Sequence, residues 1–189
     1  VENDPPVYVF VMGENAWHAE TDWPLPQTQW TNYYFDSDGA ANSVTGDGVL
    51  SLTPPSVQAY DTYTYDPLNP TRDPFDTWPN KNGHIDGALS TRPSALGDEV
   101  LVYLTPPLTE PVEVTGPIEV KLYASTSALD TDWFVRLVDV QPDGYSALLT
   151  EGVMRARNRD PNNEGRFNGA ELSMLDPNEV YEYTIRFWR

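Results

Sequence analysis

Proline interrupts this chain so often that long helices are excluded. The 189 residues include 18 prolines, and a proline inside a helix removes a hydrogen bond and clashes with the preceding turn. Aromatic residues make up 12% of the chain and favour the pleated, half-buried surfaces of sheets. The sequence therefore predicts an all-β fold built from short strands.

Apolar or alternating runs recur between clusters of Pro, Gly, Asn and Asp, as in strands separated by turns. Val7 to Met12 is apolar at every position, which is typical of a strand covered on both faces. Residues 118–124 and 181–189 alternate, which predicts one buried and one exposed face. Residues 133–140 and 147–157 flank a Pro-Asp-Gly turn and predict a hairpin.

Shorter and less regular segments complete the prediction. The shorter predicted strands are residues 31–35, 49–52, 61–65 and 100–104, and the long loops are residues 69–93 and 158–168. About ten short strands and almost no amphipathic helix favour an antiparallel β-sandwich, specifically a jelly roll. A chain of 189 residues is long enough for one such domain with its own core.

The net charge of the chain limits the kinds of partner that it can bind. Lys and Arg total 11 against 29 Asp and Glu, which gives a net charge of −18. That charge repels phosphate backbones and anionic bilayers, so we expect no nucleic acid and no membrane among the partners. Solubility, an origin in high salt and steering of cationic substrates would each explain the acidity, and the residues do not separate them.

The motifs of common enzyme chemistry are missing. Without cysteine, the chain has no thiolate nucleophile and no Cys-based metal site. It has no Gly-x-Ser-x-Gly elbow, phosphate-binding glycine loop or dinucleotide fingerprint, and its two histidines are His18 and His84. We predict no catalytic residue, metal site or cofactor. One hypothesis is a small esterase that is active by itself. It would need a nucleophile, and none of the known motifs marks one in this sequence.

Two acidic pairs resemble functional sites. Asp36 and Asp38 are spaced like the start of a calcium loop, but the Glu that completes such a loop is absent, so we predict a polar turn. Asp130 and Asp132 could act as acid and base, but alternation sends both to one face beside a buried run. Because buried carboxylates need partners, we interpret this pair as a hydrogen-bonded corner where a strand begins.

Tryptophans in or beside loop-like sequence raise the hypothesis of a carbohydrate-binding module, since exposed rings stack on sugars. The candidates are Trp17, Trp23, Trp30 and Trp78. The competing interpretation, which we favour, is that these rings cover the core edge or a domain interface, where aromatic side chains dominate the energetics.

Ordered motifs run through most of the chain. They are Pro6-Val7-Tyr8-Val9-Phe10-Val11-Met12-Gly13, Trp17, Asp22-Trp23-Pro24-Leu25-Pro26, Tyr65-Asp66-Pro67, Ala128-Leu129-Asp130-Thr131-Asp132-Trp133 and Gly152-Val153-Met154-Arg155-Ala156-Arg157. This series resembles the C-terminal domain of the CocE/NonD family of serine hydrolases, which contains esterases, acylases and X-Pro dipeptidyl-peptidases. The motif residues assigned a structural role are Trp17, Trp23, Asp130, Asp132, Arg155 and Arg157.

The resemblance implies a galactose-binding-like jelly roll that is not catalytic. In that family the Ser, Asp and His of the triad belong to a preceding α/β-hydrolase domain, which this chain lacks. His18 stands where relatives more often have Arg, so we do not assign it to the triad. The resemblance also implies packing against the hydrolase domain, with one loop, residues 74–82, helping to close the acyl pocket. Phe75 and Trp78 are the candidates for lining that pocket.

The C-terminal end departs from the family pattern. The family's closing strands, including a Gly-His-Arg-Ile-Arg-like run, have no counterpart after Arg189, and Val1 is not an initiator Met. We therefore expect a processed chain or a fragment whose jelly roll lacks its last strands. An open sheet edge can pair with another chain, so we expect self-association as well as contact with the parent's hydrolase domain. The sequence does not indicate a compartment.

Overall fold

A computed structural model describes residues 4–57, 59–71, 98–160 and 173–187. The elements are β1 (Val7–Val11), β2 (Ala16–Glu20), β3 (Tyr34–Asp36), β4 (Val49–Ser51), β5 (Glu119–Ala124), β6 (Asp132–Val140), β7 (Ser146–Arg155), a 3-10 turn (Ala156–Asn158) and β8 (Tyr181–Arg186). The described ranges contain no α-helix. The predicted all-β class with antiparallel pairing is thus confirmed and is consistent with a β-sandwich, while the jelly-roll strand order and the single domain stay predictions.

The chain divides into two compact units. The first comprises Val1–Gly116 with Val140–Ala147, and the second comprises Pro117–Asp139 with Leu148–Arg189. The two predicted long loops fall largely on residues outside the described ranges.

The first unit begins with an antiparallel hairpin of β1 and β2, in which Val9 lies opposite His18 and Phe10 opposite Trp17. The turn between them places Gly13 at φ 90° and Asn15 at φ 57°, a left-handed backbone that Gly and Asn tolerate best. The sequence analysis predicted β1 but missed β2, because Ala16–Glu20 mixes apolar and polar residues without a strong strand signal. β3 pairs antiparallel with β4, and the two overlap the predicted strands of residues 31–35 and 49–52.

Two predicted strands of the first unit are wrong. Residues 61–65 join no strand ladder in the described part of the chain, and residues 100–104 contribute a single bridge, between Leu104 and Val49. The amide of Leu104 donates to the Gly48 carbonyl at 3.1 Å, and the Leu104 carbonyl accepts from the Leu50 amide at 2.9 Å, so this bridge to β4 is parallel. The Val102 amide donates to the Ala41 carbonyl at 2.8 Å, outside the named strands. Residues 100–104 therefore meet β4 at one point and do not form a strand along it.

The second unit carries the clearest core. β5 and β8 pair antiparallel, with Leu122 opposite Tyr183, and their inner faces bury Tyr183 and Ile185 completely. The Trp133 ring from β6 packs against Tyr183 with ring centroids 5.7 Å apart. The opposite face of β5, including Tyr123, is exposed. The predicted alternation of both strands and the predicted β6–β7 hairpin are confirmed.

A glycine links the two strand pairs of the second unit. Gly152 of β7 forms an antiparallel bridge with Phe187, just after β8. A Cβ atom at this position would lie 2.8 Å from the Arg186 carbonyl oxygen and 3.0 Å from Ile185 Cγ2. A side chain here would have to push β8 away, so only glycine allows the strands to approach this closely.

Candidate functional site

The most developed polar cluster is a corner formed by Asp130, Asp132, Arg155 and Arg157, which we call the Asp–Arg corner. The two carboxylates lie where the chain enters β6, and the two arginines lie at the end of β7 and in the turn after it. The Ala156 amide donates to the Thr131 carbonyl at 2.8 Å and brings the two segments together. Residues 25 positions apart in sequence are thereby placed in direct contact.

Arg155 binds both carboxylates of the corner. Its Nε donates to Asp130 Oδ2 at 2.9 Å, and its Nη1 donates to Asp132 Oδ2 at 3.0 Å. Asp130 also accepts from the Arg157 backbone amide at 3.2 Å, and Arg157 Nε lies 3.4 Å from Asp130 Oδ2. The Asp130 side chain is 14% exposed against 37% for Asp132, so Asp130 is the centre of the corner.

This arrangement is suited to holding strands together and not to acid–base chemistry. The hydrogen bond to Asp130 and the charges of Asp132 and Asp130 raise the pKa of Arg155 above its ordinary value. A general acid or base needs a proton that it can exchange near the operating pH, whereas here each carboxylate is bound by a permanent cation. The corner thus matches the hydrogen-bonded strand start expected for Asp130 and Asp132.

A second polar cluster, half-buried and in the first unit, was missed by the sequence analysis. Asp61 Oδ2 accepts hydrogen bonds from Ser37 Oγ and Tyr103 Oη, both at 2.6 Å, and its Oδ1 accepts one from the Ala41 amide at 2.8 Å. The Tyr103 ring packs on Phe35 with centroids 4.6 Å apart. Ser37 and Tyr103 lie 24 and 42 positions away in sequence, so no local pattern could have joined them.

The protonation of this second cluster is set by its hydrogen bonds. Burial alone would raise the pKa of Asp61, but the bonds from Ser37, Tyr103 and Ala41 outweigh it and lower that pKa below the ordinary 3.8. Burial, together with the bond to Asp61 and its charge, raises the pKa of Tyr103. Asp61 therefore stays a carboxylate and Tyr103 a neutral phenol. Their hydrogen bond holds distant segments of the chain together and does not supply a proton for chemistry.

The tryptophans named in the sequence analysis differ in their exposure and in their contacts. Trp17 lies on β2 with 69% of its surface exposed, and its ring centroid is 5.3 Å from that of Phe10. Trp30 is also 69% exposed, and Trp23 is 41% exposed with its amide donating to Asp22 Oδ1 at 2.8 Å. Phe75 and Trp78, predicted to line a pocket, lie outside the described residues.

The remaining candidates form ordinary surface contacts. His18 lies on β2, and its Nε2 is 3.0 Å from Glu14 Oε2. The turn at Asp36 and Asp38 is polar as predicted, and the Asp38 amide donates to Asp47 Oδ2 at 3.0 Å. Within the described ranges, no group of three or more His, Cys, Asp or Glu is arranged to hold a metal ion. No helix among those residues is long and apolar enough to cross a membrane.

Comparison with known proteins gives a family and two large relatives for this chain. Residues 1–189 match the family described as the X-Pro dipeptidyl-peptidase C-terminal non-catalytic domain. The chain is 41% identical to cocaine esterase of Rhodococcus sp. (strain MB1 Bresler) over 181 residues, which is 96% of this chain and 30% of the esterase. It resembles the crystal structure of an aminopeptidase from the marine sediment archaeon Thaumarchaeota archaeon with a TM-score of 0.72 and 28% identity, over 98% of this chain and 30% of that one.

The match over the whole chain identifies its class. The chain belongs to the X-Pro dipeptidyl-peptidase C-terminal non-catalytic domain family, and it is a C-terminal module of the kind found in larger hydrolases. It spans about a third of the length of the relatives it matches. The predicted resemblance to CocE/NonD hydrolases is confirmed.

Proposed function

We propose that this chain supports the α/β-hydrolase domain of a larger serine hydrolase and helps to shape its substrate pocket. The proposal rests on one main observation: the chain matches a non-catalytic family from end to end, while its relatives are about three times longer. The Asp–Arg corner and the Asp61 cluster support a structural role, because in both the charged groups are already bound. The names of the relatives, an esterase and an aminopeptidase, favour esters or amides as the substrates of the whole protein.

The division of labour can be tested with a fluorophosphonate probe, which labels activated serines. We expect the full-length protein to be labelled and to hydrolyse a short-chain aryl ester, and the 189-residue chain alone to do neither. Deleting the chain from the full-length protein should lower both its activity and its thermal stability. Stoichiometric labelling of a serine within residues 1–189 would show that catalysis resides here, and an unimpaired deletion variant would refute the supporting role.

Pocket shaping is the more specific part of the proposal and concerns Phe75 and Trp78. The resemblance to the family assigns the loop of residues 74–82 to the acyl side of the pocket. Replacing both residues by Ala in the full-length protein should change the relative kcat/KM values across a series of esters with growing acyl groups. Equal effects on every ester, or none, would refute pocket shaping while leaving the supporting role intact.

Self-association through an open sheet edge is a further part of the proposal. Exposed strand edges pair readily with other chains, but copies that each carry a charge of −18 repel one another at low ionic strength. Sedimentation of the chain should therefore show a dimer whose fraction grows with concentration and with salt. A monomer at all concentrations and in high salt would contradict this part.

Carbohydrate binding is the alternative favoured by the exposed rings of Trp17 and Trp30. It predicts that the isolated chain binds glycans on an array and that Trp17→Ala or Trp30→Ala abolishes the binding. The supporting role predicts no glycan binding by either the chain or its variants.

A further inference from the structure

One face of the β1–β2 hairpin exposes large apolar side chains, and we call this the hairpin face. It consists of Tyr8, Phe10 and Trp17, with exposed fractions of 54%, 42% and 69%. Tyr8 and Phe10 are two positions apart on β1 and so share a face, and Trp17 lies opposite Phe10 in the register, with the two ring centroids 5.3 Å apart. Met12, 72% exposed, follows in the turn directly after β1.

The sequence of β1 predicts that both of its faces are covered, but the structure leaves one face exposed. An apolar residue at every position of a strand is typical of a strand covered on both sides. In the structure, the side of Val7, Val9 and Val11 is half-buried, while the side carrying the larger rings is open. Single exposed apolar side chains are ordinary, but a contiguous patch of large ones marks an interaction surface.

The relatives indicate what covers this patch. They are larger hydrolases in which the matched domain forms the C-terminal part, so about 70% of their length precedes the equivalent of β1. A surface on the first hairpin after the connection lies within easy reach of the preceding domain, which raises the effective concentration of the two surfaces. A second copy of this chain is a poorer candidate for this face, because copies with a charge of −18 repel each other and the self-association proposed for this chain uses its open sheet edge.

We propose that the hairpin face docks on an apolar surface of the hydrolase domain that precedes it. This inference rests on the proposed function and assigns the supporting role to named residues. Phe10 and Trp17, already in contact with each other, are the anchors, since large aromatic side chains supply most of the energy of such contacts.

Oxidation of methionine provides a direct readout in the full-length protein. Met12 lies in the turn at the end of the hairpin, between Phe10 and Trp17 in the chain, and is 72% exposed, whereas Met174 lies in the other unit and is 53% exposed. Under dilute peroxide, we expect Met12 of the full-length protein to be oxidised about tenfold more slowly than a short peptide of the same sequence, because access controls the reaction. Met174 reports that the reagent is active. Oxidation of Met12 at the rate of the peptide would overturn the proposal.

Two variants of the full-length protein test the same surface by stability. Phe10→Ser with Trp17→Ser removes the anchors, and Tyr123→Ser is the matched control, since Tyr123 is 66% exposed on the polar outer face of β5. We expect the double variant to lower the unfolding midpoint and to restore fast oxidation of Met12, and the control to do neither. If the double variant behaves like the control, the docking surface is wrong.

The outcomes separate the two proposals. If Met12 is open but deleting residues 1–189 still impairs the hydrolase, the supporting role stands and acts through another surface. If Met12 is protected only above a threshold protein concentration, a second copy covers the patch and the proposal fails. If glycans, and not the hydrolase domain, protect Met12, the carbohydrate-binding alternative replaces both.

Discussion

The sheet of β5 and β8 and the hairpin of β1 and β2 have similar pairing but opposite surroundings. In the first, Tyr183 and Ile185 are completely buried, and the exposed face carries polar or charged residues such as Lys121 and Glu182. In the second, Phe10 and Trp17 form the exposed face. The difference indicates that one sheet completes its core within this chain, whereas the other leaves apolar surface exposed, which we propose is covered by a partner. The predictions below concern the isolated chain unless stated otherwise.

The largest effect is expected in the core of the second unit. Ile185→Ala removes a fully buried side chain and should lower the free energy of unfolding by about 2–5 kcal/mol, through lost burial and the cavity left behind. The control is Val153→Ala on β7, where the side chain is 38% exposed and the loss should be below about 1 kcal/mol. Urea denaturation followed by tryptophan fluorescence measures both. Equal losses would mean that this core is not the main source of stability.

The Asp–Arg corner should contribute less to the free energy of unfolding than the core does, and its two carboxylates should contribute unequally. Asp130→Ala removes the better buried carboxylate and its bonds to Arg155 and Arg157, which should cost about 2 kcal/mol. Asp132→Ala removes one bond at a position that is 37% exposed and should cost about 0.5 kcal/mol. The two losses are read from chemical denaturation at the same pH. A larger cost for Asp132→Ala would contradict the assignment of Asp130 as the centre.

The contribution of the Asp61 cluster to stability should depend on pH and be lost in acid. Because folding lowers the pKa of Asp61 below 3.8, its stabilising contribution is complete above that pH and is lost as the pH falls through the folded-state value. Asp61→Asn should therefore be less stable than the natural chain at pH 7, and the gap should shrink below about pH 3.8. Thermal unfolding between pH 2.5 and 7 tests this. A gap that is independent of pH would refute the role of the charge.

The smallest effect is expected on the hairpin face. In the isolated chain, Trp17→Ser removes a mostly exposed ring with one aromatic contact and should cost no more than about 1 kcal/mol. The same change should lower the unfolding midpoint more in the full-length protein, where we propose that the face is covered. Thermal unfolding of both forms gives the comparison. A large loss in the isolated chain would show that Trp17 belongs to the core of its own unit.

Local patterns predicted the parts of the fold that depend on near neighbours. Alternation placed Tyr183 and Ile185 together on the buried face of β8, and the Pro-Asp-Gly turn predicted the β6–β7 hairpin. The same reasoning wrongly made strands of residues 61–65 and 100–104, because apolar alternation does not reveal whether a ladder partner is present. The pattern of Val7 to Met12 was interpreted as covered on both sides, whereas this chain covers one.

By itself, the sequence determined the all-β class, the main hairpins and membership of a hydrolase-associated family, since these depend on proline content, a two-residue period and ordered motifs. Tertiary structure decided which polar groups meet: Arg155 with Asp130 across 25 positions, and Tyr103 with Asp61 across 42. It also decided which side of the first hairpin stays open. Such contacts form where segments distant in sequence meet in space, and local sequence patterns do not specify which segments meet.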